Sequence, residues 1–276
     1  MIKVGSPPFP DRNPSPIFVS MYNRFFITCA ARTGSTMLRY LLDGHPEICC
    51  HGEVFVRKGL LRFIFKNRRS FGLSPGYTSY ERAFQQKSLS DFLSTELFSD
   101  SKNHKKAVGF KFKTDEFFDP GYIEIADYLK LHTEMKVIHL RRKDLLAQYV
   151  SYLFVQKKLN PTVSFDPNSE RSTKQIRLDR KLLYKYFALI TEREIKIEQA
   201  LHNHQMHRVW YEDLIGDKEF FLGEIFDFLG VQKMITPSTT QKLIVNYQDH
   251  ITNLEEVYSW LSQSEYAARM SINPER

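Results

Sequence analysis

Phe25-Phe26-Ile27-Thr28-Cys29-Ala30-Ala31-Arg32-Thr33-Gly34-Ser35-Thr36-Met37-Leu38 decides the fold. Phe25 to Ala30 is a short apolar and aromatic run, the pattern of a buried strand. Ala31-Arg32-Thr33-Gly34 is a turn. From Ser35 to Asp43 the spacing predicts a helix, with Met37, Leu38, Leu41 and Leu42 on one side and Gly44, His45 and Pro46 at its end. Strand, glycine turn and helix in that order make a candidate phosphate cradle. The amides of the helix start point at an anion, and the helix dipole adds about half a positive charge. Gly34 lets the backbone come close, Ser35 and Thr36 bring hydroxyls, and Arg32 brings a forked cation. This is not a Walker A loop, because no lysine follows Gly34 and no glycine stands five residues before it. ATP hydrolysis through a P-loop lysine is therefore disfavoured.

Outward from this stretch, strands and helices alternate. Ile48 to Phe55 is extended, and Leu89 to Phe98 is a helix capped by Ser88. Ala107 to Lys113 alternates with period two, placing Val108, Phe110 and Phe112 on one face and Lys111 and Lys113 on the other. A helix near 122–131 leads to a strand at Lys136 to Leu140, and a second helix runs from about Asp144 to Lys157. A long helix spans about 177–202, a strand lies at Arg208 to Tyr211, and helices follow at 220–229 and 254–262. Residues 160–175 and 236–252 read as loops. The pattern predicts an α/β fold: one domain over 1–276, a central parallel sheet flanked by helices, P-loop-like, with ligand at the carboxyl ends of the strands.

The composition is that of an ordinary globular chain: of 276 residues 42% are hydrophobic, too many for a disordered one. Thirty-nine basic against 32 acidic residues give a net charge of +7, which points to anionic partners such as phosphate, sulfate, acidic glycan, nucleic acid or lipid headgroups. Cys29, Cys49 and Cys50 are too few and too close for a disulfide framework, and they lack the paired spacing of a zinc site. His202 and His204 read as surface residues. No metal is expected. No apolar run has the length of a membrane span. Pro7, Pro8, Pro10, Pro14 and Pro16 break any apolar leader, so residues 1–22 read as an extended arm and the chain as cytoplasmic.

A second anion anchor lies at Val137-Ile138-His139-Leu140-Arg141-Arg142, where two arginines follow a strand. In the next helix Asp144, Gln148 and Ser151 form one narrow polar stripe among Leu145, Leu146, Tyr149, Val150, Leu153 and Phe154. A buried helix with one hydroxyl on that stripe suits a second phosphate.

Arg32-Thr33-Gly34-Ser35-Thr36-Met37-Leu38 resembles the 5′-phosphosulfate loop of sulfotransferases that use 3′-phosphoadenosine 5′-phosphosulfate (PAPS). The resemblance continues through Leu41-Leu42-Asp43-Gly44-His45-Pro46 and Gly52-Glu53. It is strongest toward bacterial and Golgi-type carbohydrate enzymes, such as the trehalose and nodulation-factor sulfotransferases, and toward tyrosylprotein sulfotransferases. It implies that Arg32, Thr33, Gly34, Ser35, Thr36 and Met37 hold the 5′-phosphosulfate. It implies that Arg142, or its neighbour Arg141, holds the 3′-phosphate with Ser151, although the family separation of eight residues is here nine. Glu53 inherits the role of general base, which burial would favour by raising its pKa. His51 is a rival that does not match the position of the histidine base in other sulfotransferases, and it is read as structural or substrate-lining. Lys111 is a candidate for the sulfuryl oxygens, against the commoner outcome of a solvated strand lysine, and Lys242 for the 3′-phosphate. Trp210-Tyr211-Glu212-Asp213-Leu214 resembles a supporting segment of these enzymes.

The implied reaction moves a sulfuryl group from PAPS to a hydroxyl of a carbohydrate or glycolipid, leaving 3′,5′-ADP. Residues 57–106 and 155–180 are the expected acceptor-binding insertions. The first is rich in Arg, Lys, Phe and Tyr, which suits sugars and also contact with an anionic membrane surface. The competing readings are a P-loop-type kinase and a non-catalytic binder of anionic glycan. Nucleic acid is not the expected partner.

Overall fold

The computed structural model describes residues 22–55, 88–98, 104–159, 163–164, 173–235, 241–242 and 246–270. In chain order these form β1 (Asn23–Cys29), α1 (Ser35–Asp43), β2 (Ile48–Cys50), α2 (Leu89–Phe92), β3 (Ala107–Lys113), α3 (Thr114–Phe117), α4 (Ile123–Leu131), β4 (Lys136–Arg141) and α5 (Leu145–Gln156). Then come β5 (Val163–Ser164), α6 (Arg180–Ala200), β6 (Met206–Trp210), α7 (Tyr211–Gly216), α8 (Lys218–Leu229), β7 (Gln241–Lys242) and α9 (Leu254–Ser262). The five longer-range strands make one sheet in the order β2-β3-β1-β4-β6, and every pairing in it is parallel. This is an α/β sheet of the P-loop-like kind, with the first strand in the middle.

The alternation of each strand decides what the two sheet faces hold. Phe25, Ile27 and Cys29 of β1 meet Leu38, Leu41 and Leu42 of α1 and Leu222, Ile225, Phe226 and Leu229 of α8. Phe26 meets Val108, Phe110 and Phe112 of β3, Ala126 and Leu129 of α4, Ile197 of α6 and Leu201 just beyond it on the other face. Each fully buried aromatic or aliphatic side chain stabilises the fold by about 1.5–3 kcal/mol relative to exposure. A third cluster joins α5, α6 and α9 through Leu145, Phe154, Phe187, Val257 and Leu261. Gly109 is required where β3 pairs beside β1 at Phe25, since a Cβ there would stand 2.4 Å from the Phe25 carbonyl oxygen.

Most predicted elements are present with boundaries shifted by a few residues. Asp144 and Asp179 cap α5 and α6 by accepting from the amides of Ala147 and Leu182. Four readings change. The extended stretch after α1 is a strand only over Ile48–Cys50. Past Phe92 the predicted helix continues as a π-turn over Leu93–Leu97. The two predicted loops contribute β5 and β7, which pair antiparallel as a second, two-stranded sheet. His204 is buried rather than exposed, its Nε2 bonded to the Leu129 carbonyl at 2.8 Å. The arm at 1–21 and most of the predicted insertions, 56–87, 99–103, 160–162 and 165–172, lie outside the described residues. No helix among the described residues is long and apolar enough to cross a membrane.

Candidate active site

The register of the sheet brings the loop after β1 level with the ends of β3 and β4: Cys29 stands beside Lys113 on one side and Leu140 on the other. The loop's shape is enforced from outside. Gly34 has φ +81°, and a Cβ on it would meet the Tyr211 ring at 2.3 Å. Arg32 also adopts positive φ, +66°, which is unfavourable for a residue with a side chain. Gln148 holds this conformation by donating to the Ala31 carbonyl at 2.8 Å, and Arg142 by donating to the Arg32 carbonyl at 3.2 Å. Thr33 closes the turn by donating to the Ala30 carbonyl at 3.0 Å. Two carbonyls are thus tied back toward the second motif. The start of α1 carries no side-chain cap, so Ser35, Thr36 and Met37 present helix-start amides in the manner of an anion site.

The second motif meets the first directly. Arg32 donates through Nε to Ser151 Oγ at 3.0 Å. Burial, and then the charge of Arg142, lower the pKa of Arg32, so the site gathers like charges that a bound anion would relieve. Arg142 stacks 4.9 Å over Tyr211, and its nearest carboxylate is Glu212 at 3.5 Å. Arg141 points to the other sheet face: it lies 4.2 Å over the Trp210 ring and 3.9 Å from Glu198. Of the two arginines, Arg142 is therefore the one that faces the loop. The backbone of Lys242 lies in β7, and its side chain lies outside the described residues.

The third part of the site joins the loop to a carboxylate. Lys111 Nζ donates to Ser35 Oγ at 3.3 Å and lies 2.7 Å from Glu53 Oε1. Lys113 Nζ lies 2.7 Å from Glu53 Oε2 and 3.7 Å from Glu116 Oε1. Lys111 is 5% exposed, not solvated. A parallel sheet is covered on both faces, so alternation separates two buried sides rather than a wet and a dry one. The expectation of a raised Glu53 pKa is corrected as well. Burial pushes it up, but Lys111 and Lys113 outweigh burial and hold it below the usual carboxylate range. Glu116 moves the other way, raised chiefly by burial. His51 is buried, with Nε2 3.4 Å from Cys49 Sγ.

The fold gives two sequence-named residues, Tyr211 and Gln148, specific tasks, and it adds Tyr186, which carried no sequence signal. Tyr211 supports Gly34 and Arg142, which gives the Trp210–Leu214 segment a specific task. Tyr186 of α6 packs on Tyr149 and Tyr152, with ring centroids 4.8 and 5.1 Å away, and its buried hydroxyl has no hydrogen-bond partner among the described residues. Gln148 Oε1 is buried without a partner too. The Tyr186 hydroxyl, near Arg142 and Arg32, is a donor that suits an anionic ligand, whereas Gln148 Oε1 can only accept. Among the described residues no group of three or more His, Cys, Asp or Glu could hold a metal ion.

The sequence profile of the sulfotransferase family matches residues 24–235. No curated protein matches the chain. Solved structures similar to it include the sulfotransferase domain from the curacin biosynthetic pathway, at 16% identity and a TM-score of 0.50, covering 91% of this chain and 83% of that one. A sulfotransferase from Alicyclobacillus acidocaldarius aligns at 16% identity and a TM-score of 0.45, over 91% of this chain and 98% of the other. The sulfotransferase domain of the Synechococcus olefin synthase aligns at 19% identity and 0.49, over 76% and 74%. At 16% identity the likeness to the curacin-pathway domain speaks for the fold alone.

Proposed function

The chain belongs to the sulfotransferase family, and we propose that it transfers the sulfuryl group of PAPS to a hydroxyl of a carbohydrate or glycolipid, releasing 3′,5′-ADP. That it is an enzyme of sulfuryl transfer follows from the family. The donor, the acceptor class and the residue roles are the proposal. The observation that carries it is Lys111 Nζ, 3.3 Å from Ser35 Oγ and 2.7 Å from Glu53 Oε1. One cation touches both the anion loop and a carboxylate, as a reaction between a bound phosphosulfate and a hydroxyl requires.

In this reading the amides of Ser35, Thr36 and Met37, with the Ser35 and Thr36 hydroxyls, hold the 5′-phosphosulfate. Arg142 and Ser151 hold the 3′-phosphate. The acceptor oxygen attacks sulfur in line with the bond from sulfur to the 5′-phosphate oxygen. The new O–S bond forms as that bond breaks, and the bonding pair leaves with the phosphate. Glu53 takes the hydroxyl proton. Its lowered pKa keeps it ionised and ready, at the cost of a weaker proton affinity. Lys111, on the donor side of Glu53, and Arg32 meet the charge that develops on the leaving phosphate and the sulfuryl oxygens. The chemistry is positioning and electrostatics, with no covalent enzyme intermediate.

The acceptor class rests on the sequence resemblance and on the Arg-, Lys- and aromatic-rich stretch within 57–106. A cytoplasmic site of action belongs to the same proposal. None of the three cysteines stands in a disulfide, which agrees with a reducing compartment. The test is calorimetric titration of the full chain with 3′,5′-ADP, ADP, AMP and ATP, followed by turnover of labelled PAPS on candidate acceptors. Tight binding of 3′,5′-ADP, weakened in Arg142→Ala and Ser151→Ala, supports the donor site. Equal binding of ATP would overturn it and favour a kinase-like activity.

A further inference from the structure

The turn that carries Arg142 is gripped from two sides. The amides of Lys143 and Asp144 donate to Glu212 Oε2 and Oε1 at 2.8 and 3.2 Å. The carbonyls on the opposite side accept from a residue far away in sequence. Arg269 donates through Nη2 to the Arg142 carbonyl at 2.8 Å and through Nε to the Lys143 carbonyl at 3.2 Å. Its remaining donors meet Glu194 of α6, with Nη1 3.1 Å from Oε2 and Nη2 3.3 Å from Oε1. The guanidinium plane lies 5.6 Å from the Trp210 ring. Tyr266 and Met270 on either side are buried against the α5, α6 and α9 cluster, so the segment that bears Arg269 is docked rather than trailing.

We infer that Arg269 is a positioning residue for Arg142, and that the segment 266–270 thereby belongs to the donor site. The inference rests on the reading that Arg142 holds the donor's 3′-phosphate. Arg269 lies 34 residues beyond the stretch matched by the family profile, which ends at 235. The chemistry requires arginine. One planar fork reaches two successive carbonyls and a carboxylate together, which the point charge of lysine does not reproduce. Backbone hydrogen bonds at a strand end fix where the next side chain emerges. A guanidinium displaced by about 1 Å loses much of its hold on a phosphate. Glu194 neutralises Arg269, so the clamp adds no cation that would compete for the ligand.

The experiment titrates the full chain with 3′,5′-ADP and with 5′-AMP, which lacks the 3′-phosphate. The variants are Arg269→Ala, Arg269→Lys, and Arg269→Gln combined with Glu194→Gln. The double change avoids leaving the Glu194 carboxylate buried and unpaired, should Arg269→Ala fail to fold. The expected result is a loss of about tenfold in affinity for 3′,5′-ADP with less than about twofold for 5′-AMP, while kcat at saturating donor is kept. Arg269→Lys is expected to fall between. An equal loss for both ligands would mean general loosening and would overturn the inference, as would no loss at all. Arg142→Ala separates the two readings. If it leaves the preference for 3′,5′-ADP over 5′-AMP intact, the donor-site assignment itself fails. If it abolishes the preference and the Arg269 variants do not, only the role of Arg269 fails.

Discussion

Arg32 Nε and Ser151 Oγ lie 3.0 Å apart across 119 positions of sequence, so the first anion loop rests on the hydroxyl of the second motif. In the proposed donor site Ser151 has two tasks: it holds the Arg32 side chain, and it would offer a donor to phosphate. Ser151→Ala removes both and keeps the helix, since alanine is a better helix former than serine. The affinity for 3′,5′-ADP is expected to fall about tenfold, the worth of one hydrogen bond to a charged group. Thermal unfolding is expected to stay within a few degrees of the wild type. Calorimetry and a melting curve on one preparation check both.

Gly34 is fixed by two independent constraints, its φ of +81° and the Tyr211 ring beneath it. Gly34→Ala costs about 1–3 kcal/mol from the backbone alone. A Cβ 2.3 Å from the ring also forces Tyr211 or the loop to move. The variant is expected to melt lower and to lose donor binding. Tyr211→Phe keeps the ring and is expected to retain both. If Gly34→Ala bound 3′,5′-ADP as well as wild type, the cradle would not be where the loop places it.

Glu53 as base makes a prediction in pH. Its pKa is lowered, so it is ionised and active across the neutral range, and activity is lost only as pH falls through that lowered value. The acid limb of kcat/KM is thus expected below the usual carboxylate range. Lys113→Met removes one of the two cations that depress Glu53, and the limb is expected to move to higher pH. Glu53→Gln is expected to lower kcat by about 10²–10⁴-fold with 3′,5′-ADP binding kept. A pH–rate profile of the three proteins decides. An acid limb that persists unchanged in Glu53→Gln would assign the proton to another group.

What the sequence showed follows from which signals are local. The β1 turn and its helix were legible because Gly34 and the hydrophobic spacing act within ten residues. The stripe Asp144, Gln148, Ser151 was legible for the same reason, and each of the three has a distinct partner in the fold. Choosing between Arg141 and Arg142 was not possible, because neighbours on a strand face opposite sides and the sheet's surroundings decide which side holds the ligand. Lys111 read as ambiguous because alternation does not reveal that both faces are covered. Tyr211 under Gly34 and Arg269 behind Arg142 are contacts across 177 and 127 positions, and no spacing rule predicts such pairs.

The sheet face away from the loop predicts an acid-sensitive stability. His139 is 1% exposed, bonded through Nδ1 to Glu198 at 3.1 Å, and its Nε2 is buried without a partner among the described residues. Glu198 also pairs with Arg208 and lies 3.9 Å from Arg141, so its charge is divided among three neighbours. Burial outweighs the help of Glu198 and lowers the His139 pKa from 6.5 to about 4. Between those values the unfolded chain binds a proton that the folded chain refuses. Folding stability contributed by this group is therefore complete above about pH 6.5 and is lost progressively as pH falls toward 4, by at most about 3 kcal/mol. His139→Phe removes the titration, although the new ring has to fit the same space. Urea midpoints measured from pH 7.5 to 4.5 are expected to fall in the wild type and to fall less steeply in the variant, whatever the absolute stability of either. Parallel curves would show that His139 binds its proton equally well in the folded and unfolded chains, and a wild type that falls less steeply than the variant would show that Glu198 holds a protonated His139 as an ion pair.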